Sequence, residues 1–531
     1  IDGNNLKIKS SPDFETQSFY FIRLKTIDNG GLSYEEIVTL GVNDLIDESP
    51  KNISFIKFLW EKPLLEIPNG SYIVDSSSGL DGSIYITGQF TYPWESGERI
   101  ADDIFVSKLS NEGIIDWISV FGSTEIEYTN SLTVGKDDAI YIAGTTDGMA
   151  NTDSSDAFIS KFKNDGTQEW IRFVDSFEID TGSSLTVGLD GSIYLAGGTL
   201  DDTPGNTFIR KYKPDGSEEW TRFFDYGFPT IPALTTGLDG SIYMTCLSTD
   251  NNSYKTNNSL IKINQHGDEI WRNDWTQPLD FDIVTNSIET GSDGSIYIAG
   301  DYYLSQFFSR PFVSKFDSNG NQIWITIFNA SSEPKGNYLE EEAERDLSLS
   351  MTIGVDDGIY ITGITSDNFD GHINNGSDDI FISKLDNEGK IEWTRLIGGE
   401  FYDYVYDLNT STDGSIEILW ETISKERIEN RTKYVRNKFI SKLSEELRID
   451  ENFDPEQIIS TLSTTDADIS DTHTYKLVSG EGDIDNDSFT IDGSNLKINS
   501  SPDFETQSSY NIRLKTTDSA GLIYEKTVEI A

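Results

Sequence analysis

Residues 439–450 read "FISKLSEELRID", and six earlier segments open in the same way. They are "FVSKLSNEGIIDW" (105–117), "FISKFKNDGTQEW" (158–170), "FIRKYKPDGSEEW" (208–220), "LIKINQHGDEIW" (260–271), "FVSKFDSNGNQIW" (312–324) and "FISKLDNEGKIEW" (381–393). Each of the six runs on to a Trp; the segment at 439 stops short of one. A Trp without a complete unit of its own, Trp60, stands near the start of the chain in "FIKFLWEKPL" (55–64). A second marker alternates with the first: "LDGSIYITG" (80–88), "DDAIYIAG" (137–144), "LDGSIYLAG" (189–197), "LDGSIYMTC" (238–246), "SDGSIYIAG" (292–300), "DDGIYITG" (356–363) and "TDGSIEILW" (412–420).

The period is about 50–60 residues, and each unit reads as four short strands. An Asp-Gly or Asp-Asp turn precedes "SIYIAG"; a variable loop leads to "FISKF". A loop with Gly at 113, 166, 216, 267, 320 or 389 then leads to the Trp strand. Those Gly positions suit a hairpin residue at positive φ. "SIYIAG" is apolar on both faces, so it must be covered on both sides. Seven such units predict an all-β, seven-bladed β-propeller. Pairing the strand around Trp60 with the one around Phe439 is expected to complete the last blade from both ends of the domain and remove two sheet edges, with a plain linear array as the competing reading.

The pattern D-G-x-I-Y-x-x-G, D-x-F-[IV]-x-K and G-x-x-x-W resembles the bacterial β-propeller repeat known as SBBP, over residues 52–443. The resemblance implies the fold and little about chemistry.

The two ends of the chain match each other. "IDGNNLKIKSSPDFETQSFYFIRLKTIDNGGLSYE" (1–35) is close to "IDGSNLKINSSPDFETQSSYNIRLKTTDSAGLIYE" (491–525). The fuller copy, 447–531, reads as a β-sandwich with Asp/Asn/Gly turns; residues 1–48 read as the C-terminal part of another. "TTDAD", "PDFET", "KTTDSAG" and "IDEN" resemble motifs of bacterial cadherin-like (Ig-like) repeats. That resemblance implies a calcium-binding module of cell adhesion, with ligands Glu451, Asp466, Asp468, Asp503, Glu505 and Asp518. In the first copy the implied set is Asp13, Glu15 and Asp28, with Asn43 and Asp44 in the connecting "GVNDL". Ca²⁺ takes six to eight oxygens, which closely spaced carboxylates supply. The linker departs from the family pattern at Gly41 and Leu45. Plain turn and capping roles for the same acids stay open.

Bulk properties narrow the rest. The formal charge is −51, from 91 acidic and 40 basic residues in 531, which opposes binding to nucleic-acid phosphates and anionic membranes. The lone Cys246 excludes an intramolecular disulfide and a Cys-based zinc site. His266, His372 and His473 sit far apart in loop-like contexts, which argues against a His-rich metal centre or a catalytic role. No apolar run is long enough for a membrane helix. The chain lacks an initiating Met and opens as if inside a domain, so it reads as a piece of a longer polypeptide whose targeting signal lies elsewhere.

No phosphate loop, nucleophile elbow or zincin helix appears, so no catalytic residue is assigned and an enzyme is not expected. The turn aspartates (Asp81, Asp138, Asp190, Asp239, Asp293, Asp357, Asp413) follow the repeat and read as turn chemistry. So do the aspartates before the FISK strands, Asp103, Asp156 and Asp379. The periodic Trp residues read as packing between blades. Trp94, Tyr302, Tyr303 and the 329–346 loop are candidates for exposed contacts, whereas Cys246 reads as a small buried thiol. The expected role is a non-enzymatic extracellular or cell-surface module of a large bacterial protein, a calcium-binding adhesive unit or spacer beside neighbouring modules. The alternatives are a propeller that binds glycans or surface proteins and, less favoured, a propeller hydrolase or lyase.

Overall fold

A computed structural model describes residues 19–27, 33–41, 52–65, 67, 71–91, 102–123, 125–147, 149, 155–174, 180–199, 207–224, 233–249, 256–275, 282–305, 308–328, 347–366, 369, 372, 374, 376–428, 431–444, 449, 455, 458–465, 472–503 and 505–530. Among these, regular structure is β-strand throughout, apart from a 3-10 turn at Asn486–Ser488. The chain divides into two compact units, residues 57–445 and residues 1–56 with 446–531.

The larger unit is a β-propeller. Its first blade shows the plan: Tyr72–Ser78, Ile84–Thr91, Asp102–Leu109 and Ile115–Phe121 form one antiparallel sheet in sequence order. Five more four-stranded sheets of the same order occupy residues 127–397. In the seventh, Asp403–Thr410, Ile416–Ile428 and Arg431–Ser444 are followed by residues 57–63, drawn from the other end of the unit. That segment runs antiparallel to Arg431–Ser444, with Phe58 opposite Leu443, Trp60 opposite Lys442 and Pro63 opposite Phe439.

The second strand of each blade explains the apolar runs. Ile140–Thr146 is buried along its whole length. One face packs on the preceding blade and the other on the following one: Tyr85, Ile104 and Val106 of the first blade share a core with Leu132, Ile140, Ile142 and Phe158 of the second. The same holds where the seventh blade meets the first, where Leu419 and Ile440 pack with Ile73, Ile84 and Phe105. Burial of this kind is worth about 1.5–3 kcal/mol per large apolar side chain, and it needs a neighbour on each side.

The Gly that ends "IYIAG" answers a close approach of the first strand. A Cβ on Gly144 would lie 1.8 Å from the Tyr128 carbonyl oxygen. In the fourth blade Cys246 takes the place of that Gly, and it is buried.

In the smaller unit, Ser460–Thr465, Asn495–Ile498 and Phe489–Asp492 form a sheet with residues 52–56. Thr474–Leu477, Tyr510–Thr517 and Ile523–Ile530 form a second. Leu462, Leu496 and Ile498 of one meet Ile512, Leu514 and Ile530 of the other in a common core. Phe19–Ile27 pairs with Ser33–Gly41 as an antiparallel hairpin, matching in sequence the hairpin of Tyr510–Thr517 and Ile523–Ile530.

Candidate functional site

Three places in the propeller concentrate polar side chains. The first is the end of the blades that carries the Asp-Gly turns. Each FISK lysine is buried and reaches back to the turn before its neighbouring strand. The pairs are Lys108–Asp81, Lys161–Asp137, Lys211–Asp190, Lys262–Asp239, Lys315–Asp293, Lys384–Asp356 and Lys442–Asp413, at 2.6–3.1 Å. In the first six blades the ammonium also lies 5.1–5.5 Å from the centre of the Tyr ring of "IYI". The seventh blade replaces that Tyr with Glu417, whose Oε1 lies 3.5 Å from Lys442. In the two Asp-Asp turns the first aspartate holds the lysine. The second, Asp138 or Asp357, takes the left-handed conformation that Gly holds elsewhere, with φ of 59° and 61°. The aligned turn residue in those blades is thus Asp137 or Asp356, a correction to the sequence reading.

The Trp strands complete this end. Trp117, Trp170, Trp220 and Trp324 donate their indole N–H to carbonyls in the next blade's Gly turn, at 3.0–3.3 Å. The turn Gly is what lets the ring close on it: a Cβ on Gly389 would lie 2.7 Å from Trp324. Trp60 stands against Gly113 of the first blade in the same way. The periodic Trp residues are therefore packing between blades, half-buried except for the buried Trp393, as read from the sequence.

The second place is the set of first strands. At one position each side chain accepts from the next strand's backbone: Asp75 from Leu132, Ser131 from Leu185, Ser184 from Leu234, Ser350 from Leu408 and Asp407 from Ser76. Two of these acceptors are aspartates on adjacent blades. Burial, then the Asp407 charge, push the Asp75 carboxyl well up. Glu289, on the first strand of the fifth blade, is lifted by burial to about 7, with a further contribution from Asp407. The seventh blade also departs from the repeat: buried Glu421 accepts from Tyr406 and pairs with Arg436 and Lys438 at 2.8 and 3.3 Å. Tyr402 and Tyr404 stack at 6.4 Å, and both Tyr402 and Tyr72 are exposed.

The third place is the set of seams at the opposite end of the strands. Asp103, Asp156 and Asp379 stand in strands rather than turns, which corrects the turn-chemistry reading. Across the seam stand Glu127, Asp180 and Asp403, the first residues of the next blades' first strands. Asp156, Asp180, Asp379, Asp403 and Glu127 are buried. The members of each pair stand 24 residues apart (103/127, 156/180 and 379/403), a recurring spacing that sequence reasoning missed because it read the first members singly, as turn residues.

Of the residues implied as calcium ligands, Asp503, Glu505 and Asp518 are described; Glu451, Asp466, Asp468, Asp13, Glu15, Asp28, Asn43 and Asp44 lie outside the described residues. Asp503 is exposed and accepts from the Thr506 hydroxyl at 2.8 Å, a turn-capping contact. Glu505 is exposed. Asp518 is buried; its Oδ1 accepts the Leu522 N–H at 2.7 Å, and its Oδ2 has no hydrogen-bond partner. An orphaned, buried carboxylate oxygen fits a metal ligand. Among the described residues, no three Asp, Glu, His or Cys side chains form a group able to hold a metal ion. Trp94 and the 329–346 loop lie outside the described residues; Tyr302 is buried and Tyr303 half-buried. Burial pushes the Cys246 thiol up to about 12, which suits a packing role. No helix among the described residues is long and apolar enough to cross a membrane.

No family model matches the chain. Among curated proteins, the regulatory protein FlaEY of Caulobacter vibrioides is 24% identical over 155 residues, which cover 26% of this chain and only 16% of that protein. Similar solved structures include the β-propeller domain of the Trilobed protease from Pyrococcus furiosus, with a TM-score of 0.40 and 11% identity over 70% of this chain and 93% of that one. A PL25 ulvan lyase aligns with a TM-score of 0.42 and 9% identity over 68% and 90%. Regucalcin from Agrobacterium tumefaciens, a calcium-binding protein, aligns with 0.32 and 13% over 58% and 85%. The chain is thus an all-β protein whose similar structures include propellers.

Proposed function

We propose that this chain is a non-enzymatic extracellular or cell-surface module of a larger protein, a spacer or adhesive unit. In this reading, SBBP-type blades form a ring closed by residues 57–63, and cadherin-like sandwiches flank it. One observation carries the non-enzymatic reading: the repeated charged groups of the propeller are engaged with one another in packing, seven lysines on seven turn aspartates. A catalytic group departs from such a repeat; these follow it. The calcium role of the flanks draws on the orphaned Oδ2 of Asp518. Ca²⁺ that binds only the folded module raises its melting temperature, and Mg²⁺, which demands tighter octahedral geometry, does less. Calorimetric melts of the chain with chelator, Ca²⁺ or Mg²⁺ test this, alongside Asp518→Asn, which should lose the response. No shift at millimolar Ca²⁺ removes the metal from the proposal.

A second reading, a glycan-binding propeller, is favoured by one feature. The seventh blade breaks the repeat where Tyr402 and Tyr72 are exposed, and aromatic faces of that kind stack on sugar rings. Binding on a glycan array that falls away in Tyr402→Ala supports it; silence across the array with an intact fold leaves the spacer.

A further inference from the structure

The seam between the sixth and seventh blades holds two carboxylates that the fold forces together. A Cβ on Gly398 would lie 2.1 Å from Asp379 Oδ1 and 2.7 Å from Asp403 Oδ2. The two oxygens are therefore within roughly 5 Å of each other, a range in which like charges oppose each other's ionisation. Asp379 and Asp403 are both fully buried. The arrangement is built by the blades: the Asp403 N–H donates to the Asp378 carbonyl at 2.8 Å, just as the Asp180 N–H donates to Ser155 beside Asp156.

Asp403 is only partly satisfied. Its Oδ2 accepts the Gly399 N–H at 2.7 Å, while its Oδ1 is buried without a hydrogen bond. Burial raises its carboxyl and the Asp379 charge adds; the Thr422 side chain and the Gly399 N–H pull the other way. Burial, Asp379 and Asp403 also raise the neighbouring Asp378. The first seam shows the contrast. There Glu127 accepts from the Ser123 N–H, the Ser123 hydroxyl and the Thr146 hydroxyl, so its charge is met by donors. In the fifth blade the chain supplies a cation at the equivalent position: Arg310, two residues before Phe312, stands where Asp379 precedes Phe381.

We propose that the seam of the sixth and seventh blades is a divalent-cation site in which Ca²⁺ bridges Asp379 and Asp403 and ties the two blades together. Two carboxylates on separate blades provide up to four oxygens, and Ca²⁺ accepts irregular shells completed by carbonyls and water more readily than Mg²⁺ does. The site is independent of the calcium reading of the flanking modules and uses none of their residues.

The test exploits where the indoles are. All ten Trp residues lie between residues 60 and 420, so Trp fluorescence reports the larger unit alone. The full chain, Asp403→Asn, Asp379→Asn and Asp518→Asn are melted in chelator and in CaCl₂. In chelator, Asp403→Asn melts at or above the wild type, because the repulsion is gone. With Ca²⁺ at about 100 times its dissociation constant, the wild-type Trp transition rises by roughly 4 °C. Asp403→Asn and Asp379→Asn do not respond, and the order of stabilities reverses. Asp518→Asn keeps the Trp-reported shift. An equal Ca²⁺ response in all four proteins, or none in the wild type, overturns the site. A wild-type Trp transition that falls as pH rises, with no effect of Ca²⁺, also overturns it, because the pair then holds a shared proton. A calcium-dependent transition silent in Trp fluorescence and lost in Asp518→Asn leaves the flanking-module reading standing while this one fails.

Discussion

Lys384 illustrates what a single buried ammonium does in this fold. Its Nζ lies 2.6 Å from Asp356 and 3.3 Å from Glu392, and over the Tyr360 ring at 5.3 Å. The lysine stem is buried while Asp356 keeps 46% of its side-chain exposure. Replacing Lys384 with Met keeps the apolar stem but leaves two carboxylates facing each other. Solvent screening at Asp356 discounts the cost, which is about 1–2 kcal/mol in urea unfolding. The pH sign follows from the direction of the shift. Partial desolvation alone would raise the Asp356 carboxyl, but the Lys384 hydrogen bond and charge hold it below the usual range. Its contribution is present above the unfolded carboxylate pKa, near pH 4, and is lost as pH falls through the lowered folded value. Asp81, held at about 2 chiefly by the Ser83 hydroxyl, behaves alike. Wild type should therefore lose stability between about pH 4 and pH 2, and Lys384→Met should lose less over that window, as measured by urea midpoints. At this scale the sequence was only partly legible. The Asp-Gly turn was plain, but the partner of its carboxylate, a lysine about 20–30 residues on, is set by strand pairing and not by local spacing.

The seam between blades is an element-scale property. Gly389 takes φ of 83°, and Trp324 of the preceding blade covers it. Gly389→Ala adds a left-handed alanine and a clash at 2.7 Å with the indole. A loss of about 2–3 kcal/mol is expected, with a red shift of Trp emission as the ring is displaced. A loss no larger than that of an exposed loop Gly would mean the indole does not rest there. Glu289 gives the opposite pH sign to the turn aspartates. Its carboxyl is raised to about 7, so its contribution is full below about pH 4.5 and lost as pH rises to 7. Glu289→Gln should be near neutral at pH 5 and stabilising by about 1–2 kcal/mol at pH 8, discounted because Glu289 keeps partial exposure. Strand order and hairpin Gly positions were readable because they recur with the period. The acid pairs recur too, 24 residues apart, but join strands of different blades, a pairing local spacing does not announce; the Tyr406–Glu421–Arg436 cluster departs from the repeat where no second copy reveals it.

At the scale of the molecule, every blade but one draws its four strands from a continuous stretch of chain. The seventh takes residues 57–63, and its register places Trp60 beside Lys442 and against Gly113 of the first blade. Leu64 and Ile67, which follow this segment, are buried in the core shared by the seventh and first blades. The segment therefore fixes two things at once, the outer edge of one sheet and the packing of the next. Deleting residues 52–62 removes both. It leaves Arg431–Ser444 with an unpaired edge long enough to template association. It also uncovers apolar side chains that were buried on both faces. The shortened chain should unfold over a broader range of urea, with a lower m-value, and should form larger species in size-exclusion chromatography at micromolar concentration. Trp60→Ala is the milder companion: it keeps the backbone pairing and should cost about 3 kcal/mol without association. If the deletion melts with the same midpoint and cooperativity as the intact chain, the seventh sheet does not depend on its borrowed strand. The first and seventh blades would then be held together by polar contacts such as Asp407–Ser76, Ser78–Glu417 and Lys442–Asn111 and by the apolar core.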